Sequence, residues 1–574
     1  LNEVFLGQLR DDFNRLVGYS FFAVLLILWF FFKKLELVLL SAIPIGLTGL
    51  VTAGLMGLFG LEFNIFSAIV CTLVFGHGVD FSIFMTSALQ QQYSTGKDEL
   101  QTYRTSILLA VLTTVLAIGA LIFAKHPALL SIASVSLIGV FAAVVITFVF
   151  YPMLFRFFIS DRAKKGRSPF TIVQLLLSLV FFAYYGLGSL MISFLGAVIL
   201  PLLPMNRDKK ESFFRRLIVQ FMNTVLSLHP RVNRRTVNPG GEAFQRPAII
   251  IANHSSFLDT LSLATLAPKS IFLVNDWVWN SPIFGRAVRL LGAYPVSKGL
   301  EEGLEEIRCK IDNGYSLIVF PEGTRSYDNE VQRFHKGAFY LAEKLKLDIL
   351  PIYLLGNGDV LPKNDIIIYE GSLIQVVGER IAIGDQAFGE QYNERAKRIL
   401  QHFRAQYILH RNQEQDFYYF HKKMMLAYRF KQIGIQESVE QDLTNFTALY
   451  QEVNQLLASH AELIHFSDTV GEFDYLLSLK NGRRKVYAVI VDDERRAIAQ
   501  SIYWSVHRKI VFLCSTAAIP AGAAVIHPSL RAADLPLAQL YTLSEIYTFR
   551  QEVVLVENGW AETRISSKVY RYIK

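Results

Sequence analysis

The first 160 residues contain five apolar runs, and this feature constrains the fold more than any other in the chain. About 20 helical residues cross the roughly 30 Å of hydrocarbon in a bilayer. Backbone polar groups find no water there, so a lipid-embedded run of this kind forms a helix. The pattern predicts an α-helical membrane bundle over residues 1–168. The runs lie near residues 16–32, 35–60, 63–89, 105–124 and 127–158.

The distribution of charge supports a chain of two parts. Residues 1–204 contain 12 Lys or Arg and 9 Asp or Glu, about 10% of that stretch, whereas 18% of the whole chain is charged. This composition excludes an ordinary soluble enzyme. The net charge of +8 fits an acidic lipid surface, because basic residues cluster beside apolar segments, and we expect no nucleic-acid partner. The three cysteines are too scattered for a disulfide framework or a zinc site, so no metal is expected.

Flanking Lys and Arg residues predict the orientation of the bundle. If the first run crosses inward, the inner loops hold nine basic residues and the outer loops hold three. The positive-inside rule then places the end of the bundle, near residue 160, on the cytoplasmic side of a bacterial inner membrane. The chain begins at Leu1 rather than Met, so we expect it to be a fragment of a longer protein.

The sixth apolar stretch, within residues 169–205, has two interpretations. As one helix, residues 170–204 would be about 52 Å long, more than a bilayer core requires. Basic residues flank both ends, and Gly186 and Gly188 lie in the middle. These features favour a membrane hairpin with both ends in the cytoplasm. A single tilted span is the alternative, and it would place the following domains outside.

The third run contains the motif VFGHGVDFSIF, residues 74–84. A carboxylate such as that of Asp80 costs several kcal/mol inside an apolar helix unless it is paired, protonated or hydrated, so it is a functional candidate. His77 lies three residues earlier, on the same helical face. The alternative is a neutral carboxyl that serves only packing.

Residues 1–165 resemble the C-terminal transmembrane half of exporters of the resistance-nodulation-division superfamily, in particular the MMPL lipid exporters. The resemblance rests on the five runs and on the segment GHGVDF. It implies that Asp80, with His77, belongs to a proton relay coupled to export. It also implies a partner, either the missing N-terminal half of the transporter or a second protomer.

The segment PAIIIANHSSFLDTLSL, residues 247–263, predicts a buried strand that leads into a helix. His254 lies at the end of the strand, and Asp259 lies about one turn into the helix. A carboxylate at this spacing can fix the tautomer of the imidazole, which can then accept a proton from an attacking hydroxyl. A His-Asp pair that only caps the helix is the alternative.

A second strand and turn, SLIVFPEGTRS at residues 316–326, presents four candidate binding residues, Glu322, Gly323, Thr324 and Arg325. The guanidinium of Arg matches phosphate geometry, and Gly lets backbone amides approach an anion. Two further apolar segments, residues 290–299 and 348–356, contain Lys298 and Pro351. A solvated surface is the alternative for the isolated basic residues.

In their order, NHSSFLD, GAYPVSK, VFPEGTRS and LPIY resemble the PlsC-like lysophosphatidate acyltransferases of phospholipid biosynthesis. This implies an α/β acyltransferase domain over residues 206–432, which moves a fatty acyl group from acyl-CoA or acyl carrier protein to a lysolipid hydroxyl without a further cofactor. His254 would be the base and Asp259 its orienting partner.

The same resemblance places the turn residues and Lys298 at the acceptor, with Arg325 on its phosphate, and Pro351 on the acyl side. Lys298 stands where the family usually has Arg. A point charge therefore replaces a bidentate fork, and the acceptor could carry a different head group.

Residues 433–458 predict a helical connector, and residues 459–574 alternate strands and helices, which indicates a small Rossmann-like α/β domain. This order resembles class I S-adenosylmethionine-dependent methyltransferases. The resemblance implies that Asp492 binds the ribose and that Gly471 belongs to the cofactor turn. The turn, FSDTVGEF, keeps only that glycine, so a structural module without S-adenosylmethionine is the alternative.

The whole chain resembles bacterial fusion proteins that join an MMPL transporter, a lysophospholipid acyltransferase and a methyltransferase-like domain. The first hypothesis is a multi-pass membrane acyltransferase, with its catalytic domains in the cytoplasm, that makes a lipid for the attached exporter. The alternative is a proton-driven transporter of lipids or other hydrophobic compounds whose cytoplasmic domains only bind lipid.

Overall fold

The computed structural model describes residues 2–61, 65–281, 285–290, 293–295, 297, 303–515, 519–536 and 540–574. The chain forms two compact units. One consists of Leu1–Thr171 together with Tyr419–Lys574, and the other is Ile172–Tyr418. The structure therefore begins the central unit at residue 172 rather than at the predicted 206, and ends it at 418 rather than at 432.

Five helices occupy the region in which the apolar runs predict membrane spans. They are α1 (Asn2–Phe32), α2 (Leu35–Leu58), α3 (Ile65–Thr95), α4 (Leu100–Phe123) and α5 (Pro127–Lys164). By length and composition, α2, α4 and α5 could each cross a membrane. Helix α5 continues through two π-helical turns, Ile146–Phe150 and Arg156–Ser160. The predicted N-terminal helical region is confirmed.

Buried hydroxyl groups join three of these helices. The Ser41 hydroxyl of α2 lies 2.8 Å from that of Thr86 in α3, and the Tyr151 hydroxyl of α5 bonds to both. Gly78 of α3 lies close to Ile45 of α2. A Cβ added to Gly78 would be in van der Waals contact with the Ile45 side chain, at 3.7 Å. Where surrounding lipid is as apolar as leucine, such bonds and close contacts hold helices together.

The sixth apolar stretch forms one continuous helix, α6 (Ile172–Leu202), so the hairpin interpretation is wrong. By length and composition, α6 could also cross a membrane, as the alternative interpretation of a single span requires. It packs against α7 (Arg207–Ser227). A Cβ on Gly188 would lie 2.3 Å from the ring of Phe221 in α7. This glycine therefore allows two helices to approach closely instead of forming a turn. The contact also explains why α6 belongs to the central unit.

The central unit is built around a seven-stranded sheet. Its strands are β1 (Val232–Val237), β2 (Ile249–Ala252), β3 (Ser270–Val274), β4 (Tyr294–Pro295), β5 (Ser316–Val319), β6 (Ile349–Leu355) and β7 (Gly371–Val377). The order is β1-β7-β6-β2-β5-β3-β4, and every neighbouring pair is parallel except β6 and β7.

Helices connect and cover these strands: α8 (Leu258–Leu266), α9 (Asp276–Trp279), α10 (Gly285–Leu290), α11 (Leu304–Asp312), α12 (Gly337–Leu345), α13 (Asn357–Val360) and α14 (Tyr392–Glu414). Strands β2 and β6 are buried along their whole length because both faces are covered. Ile249 and Ile251 face one apolar cluster, whereas Ile250 and Ala252 face the other. The predicted α/β region is confirmed.

The C-terminal region contains a second seven-stranded sheet. Its strands are β8 (Glu462–Phe466), β9 (Lys485–Val489), β10 (Ile510–Leu513), β11 (Ala523–Ile526), β12 (Glu545–Thr548), β13 (Ala561–Arg564) and β14 (Tyr570–Ile573). The order is β10-β9-β8-β11-β12-β14-β13. The first five are parallel, and β14 is antiparallel to both of its neighbours.

The helices of this region are α15 (Phe417–Ala427), α16 (Ile433–Leu456), α17 (Glu472–Lys480), α18 (Asp493–Gln500) and α19 (Val553–Glu557). The predicted connector is α16, and it packs on the sheet. Tyr450 stacks on Phe473 with ring centres 4.0 Å apart, and its hydroxyl lies 2.7 Å from Nε2 of His527. The segment is therefore part of the C-terminal domain.

Lys431, between α15 and α16, joins this domain to the end of α3. It is fully buried, and its Nζ donates to the carbonyl of Tyr93 (2.7 Å) and to the hydroxyl of Ser501 (2.6 Å). Gln90 of α3 donates in turn to the carbonyls of Phe430 and Lys431. Burial lowers the pKa of the Lys431 amine well below its ordinary value.

The buried amine predicts a pH-dependent stability. The unfolded chain holds this proton up to the ordinary lysine pKa near 10.5, whereas the folded amine releases it earlier. The resulting penalty on the folded state therefore decreases as the pH rises towards 10.5. The thermal unfolding temperature of the detergent-solubilised protein should therefore rise from pH 7 to 9.5 more steeply than that of Lys431→Met. The exposed control Lys568→Met should match the wild type; equal slopes for wild type and Lys431→Met would contradict the prediction.

Candidate active site

The predicted catalytic and turn residues meet at one edge of the central sheet. Strands β2 and β5 are parallel neighbours, so their carboxyl ends lie side by side. His254 follows the end of β2, and Glu322 follows the end of β5. Loops at the carboxyl edge of parallel strands are a common location for ligand sites.

His254 and Asp259 form the predicted pair. Nδ1 of His254 lies 2.9 Å from Oδ2 of Asp259, which also accepts hydrogen bonds from the backbone N–H groups of Ser255 (2.7 Å) and Ser256 (2.8 Å). Asp259 is completely buried, whereas the His254 side chain is 19% exposed. Because a carboxylate only accepts, Nδ1 carries the hydrogen and Nε2 keeps its lone pair. Nε2 is therefore the atom that can act as a base.

Two contacts that the sequence analysis missed fix this pair. Asn357, the first residue of α13, donates from Nδ2 to Oδ1 of Asp259 at 2.9 Å and is fully buried. The ring of Phe320 stacks on the imidazole of His254, with centres 4.1 Å apart and planes 17° apart. The sequence signal for Asn357 is weak, since it is only a polar residue after an apolar strand.

The turn after β5 is bonded to the His254 loop on both sides. Oε1 of Glu322 accepts from the backbone N–H of His254 (2.9 Å), and the backbone N–H of Ser326 donates to the His254 carbonyl (2.7 Å). Oε2 of Glu322 accepts from the N–H of Gln332 at 2.9 Å. Burial raises the pKa of the Glu322 carboxyl to about 7, although these two backbone donors oppose the shift. Glu322 is thus a buried residue that holds the backbone of the site in place.

The outward part of the turn consists of Gly323, Thr324 and Arg325. Gly323 has a φ of +70°, a conformation that favours glycine, and an added Cβ would lie 3.1 Å from the ring of His335. Thr324 is exposed and Arg325 is half-buried. Nζ of Lys363, which the sequence analysis also missed, donates to the carbonyl of Arg325 at 2.6 Å.

Two predicted binding residues, Pro351 and Lys298, are not part of the loops described above. Pro351 is buried inside β6, where it pairs with Ile251 of β2, three residues before His254. Lys298 lies outside the described residues.

The candidates of the membrane and C-terminal regions belong to the other unit. Asp80 lies on α3 with an exposed side chain, whereas the side chain of His77 lies outside the described part of the chain. Gly471 precedes α17 with a φ of +93°. Asp492 caps α18, accepting from the N–H of Arg495 at 2.8 Å. Within the described residues, no three His, Cys, Asp or Glu side chains are arranged to hold a metal ion.

Comparison with known families identifies two regions. Residues 10–169 match the MMPL family, and residues 230–355 match the Acyltransferase family. One region of the chain is therefore similar to the MMPL family, and a separate region is similar to the Acyltransferase family.

Curated relatives match the second region. The chloroplastic 1-acyl-sn-glycerol-3-phosphate acyltransferase of Arabidopsis thaliana is 31% identical over 145 residues, 25% of this chain and 41% of that protein. The 1-acyl-sn-glycerol-3-phosphate acyltransferase of Chlamydomonas reinhardtii is 30% identical over 215 residues, 35% of this chain and 61% of that protein. The chain thus spans less than two thirds of the length of both. The crystal structure of the 1-acyl-sn-glycerophosphate acyltransferase PlsC from Thermotoga maritima aligns over 42% of this chain and 97% of its own, with 22% identity and a TM-score of 0.37.

The buried Glu322 predicts a second pH-dependent stability. Its folded pKa of about 7 exceeds the ordinary 4.5, so its contribution is full below pH 4.5 and is lost as the pH rises through about 7. The loss amounts to at most about 3 kcal/mol. In Glu322→Gln the stability no longer depends on pH through this side chain. Its NH₂ group also faces a backbone N–H, which costs about 1–3 kcal/mol of folding free energy.

The measurement is the thermal unfolding temperature from pH 5 to 8. Glu322→Gln should unfold several degrees below the wild type at pH 5, and the difference should narrow as the pH rises. The exposed control Glu305→Gln should follow the wild type. A difference that stays constant over this range would contradict the assigned pKa.

Proposed function

We propose that residues 172–418 transfer a fatty acyl group from a thioester to a hydroxyl of a lysophospholipid-like acceptor. The observation that carries this proposal is the His254–Asp259 pair, oriented at the sheet edge beside the turn from Glu322 to Arg325. The match to the Acyltransferase family and the names of the relatives support it.

The reaction needs one base and correct positioning. Nε2 of His254 accepts the proton of the acceptor hydroxyl while the hydroxyl oxygen attacks the thioester carbonyl. The C–S bond then breaks, and the thiolate leaves with the proton from the imidazolium. Asp259 stabilises the imidazolium through its bond to Nδ1. The thioester of acyl-CoA or acyl carrier protein is already activated, so neither a cofactor nor a covalent enzyme intermediate is required.

The turn would hold the acceptor. Arg325 offers a planar fork for its phosphate, and Thr324 offers its backbone N–H and its hydroxyl. The N–H of Gly323 donates to the carbonyl of Phe320 at 3.1 Å, so this residue contributes the shape of the turn. Glu322 acts indirectly, since both of its oxygens accept from backbone N–H groups. We assign Lys298 to the same phosphate and Pro351 to the acyl side, as the family resemblance implies.

We propose further that the catalytic domain and the C-terminal domain face the cytoplasm. The C-terminal domain contacts the end of α3 through Lys431. It also contacts Gly166, just after α5, where an added Cβ would lie 2.3 Å from His507. The chain therefore returns to the side on which it left α5.

The MMPL region suggests coupling to export. We propose that Asp80, with His77, relays protons in an exporter module of a bacterial inner membrane, completed by another transporter half or a second copy of this chain. The match of residues 10–169 and the position of Asp80 within the apolar helix α3 support this role. The acyltransferase would supply the exported lipid.

For the C-terminal domain, we propose a methyltransferase-like architecture that does not hold S-adenosylmethionine. Its strand order and the alternation of strands and helices support the architecture. The residues of the implied site do not fit the cofactor. An added Cβ on Gly471 would lie 2.8 Å from Ala499, the carbonyl of Val470 accepts from the buried hydroxyl of Tyr428 (2.8 Å), and Asp492 caps a helix.

Replacing His254 distinguishes the proposed acyltransferase from the alternative hypothesis, in which the protein is a transporter whose cytoplasmic domains only bind lipid. His254→Ala should lower acyl transfer by the purified protein at least about 10³-fold, because the base is gone. Asp80→Asn should keep this activity and lose proton flux in proteoliposomes. Mass spectrometry of cells that carry His254→Ala should identify the missing product. Undiminished transfer by His254→Ala would refute the proposal and favour the lipid-binding alternative.

Asp259→Asn tests the orienting role. The amide cannot accept from all four donors around this position, and it would favour the wrong imidazole tautomer. We expect kcat to fall about 10²–10⁴-fold with a smaller change in KM. The exposed control Asp312→Asn should match the wild type. A loss confined to KM would assign Asp259 to binding instead.

A further inference from the structure

The segment that follows α13 reaches over the turn of the active site. The Leu361 carbonyl accepts from the Ser256 hydroxyl at 2.8 Å, and the Leu361 N–H donates to the Asn357 carbonyl at 2.9 Å. Asn357 itself bonds to Asp259. The segment is therefore anchored to the His254 loop two residues before Lys363.

Lys363 is held against the outward part of the turn. Its Nζ donates to the carbonyl of Arg325 (2.6 Å) and the hydroxyl of Thr324 (3.3 Å), and lies 4.0 Å from the centre of the Tyr327 ring. Nδ2 of Asn364 donates to the hydroxyl of Tyr327 at 3.0 Å. Lys363 and its neighbour Asn364 therefore both bind the segment that contains Arg325, and these contacts hold the ammonium in place.

The charge at this position is not neutralised. All three partners of Lys363 are neutral, and in the part of the chain that the structure describes neither Lys363 nor Arg325 forms an ion pair with a carboxylate. An ammonium has three N–H donors, of which Arg325 and Thr324 accept two, and the Tyr327 ring contacts the charge without accepting a conventional hydrogen bond. One donor and two positive charges therefore remain for an anion beside His254.

We propose that Lys363 is a specificity-determining residue that binds, together with Arg325, the phosphate monoester of the acceptor. Two cations match a dianionic phosphate better than a neutral or singly charged head group. The bond to the Arg325 carbonyl also fixes the backbone from which the guanidinium extends. The inference rests on the proposed acyltransferase function and names the class of acceptor for that site.

The test uses the full chain in detergent, with two soluble probes, 1-hexanoylglycerol 3-phosphate and its neutral counterpart 1-hexanoylglycerol. Binding is measured by calorimetry, and acyl transfer is measured separately with a short acyl-CoA. Lys363→Met should raise the Kd of the phosphate probe about tenfold, and should raise the corresponding KM more than it lowers kcat. The neutral probe should bind the wild type and Lys363→Met equally weakly.

Two further variants serve as controls. Lys363→Arg keeps the charge and should restore most of the affinity, whereas the exposed control Lys397→Met should match the wild type. Thermal unfolding of each variant reports whether the fold is intact. An unchanged Kd for Lys363→Met, or equal losses with both probes, would overturn the inference. Absence of turnover in the wild type would instead refute the proposed function, while the calorimetry would still decide the role of Lys363.

Discussion

The carboxylate of Asp259 is the group on which the candidate active site depends. A fully buried carboxylate is costly unless its oxygens are bonded, and here four donors surround it: an imidazole, two backbone N–H groups and the amide of Asn357. Satisfying it brings together the loop after β2, the start of α8 and the start of α13. The same bonds determine which nitrogen of His254 faces outward. The bonds that stabilise the buried carboxylate of Asp259 therefore also orient His254.

The second buried acid, Glu322, extends this arrangement to the neighbouring strand. Its two oxygens accept from the backbone on both sides of the turn, so the outward residues from Gly323 to Arg325 are held against the His254 loop. Lys363 adds a further contact to this turn, because its Nζ donates to the carbonyl of Arg325. The parts that would bind an acceptor are thus rigidly joined to the base. Such positioning is what a reaction between an activated thioester and a bound hydroxyl requires.

The division of the chain bears on how an exporter and an enzyme would share one polypeptide. The C-terminal domain belongs to the same compact unit as α1–α5, and Lys431 buries its amine against the end of α3, the helix that carries Asp80. Lys97 and Glu494 add an exposed ion pair at 2.8 Å, which contributes little in water. The residues of the candidate active site belong to the other compact unit, Ile172–Tyr418.

Local pattern was sufficient for much of this protein. The apolar runs predicted the helices of the bundle, because lipid leaves no other backbone conformation, and short motifs located His254, Asp259 and the turn at strand ends. Pattern could not show that α6 is one helix, since Gly188 is explained only by Phe221 of α7. Nor could it show Asn357 or Lys363, which lie about 100 residues beyond His254 in sequence. They reach the site only because β6 pairs with β2, and strand pairing depends on packing across the whole sheet rather than on neighbouring residues.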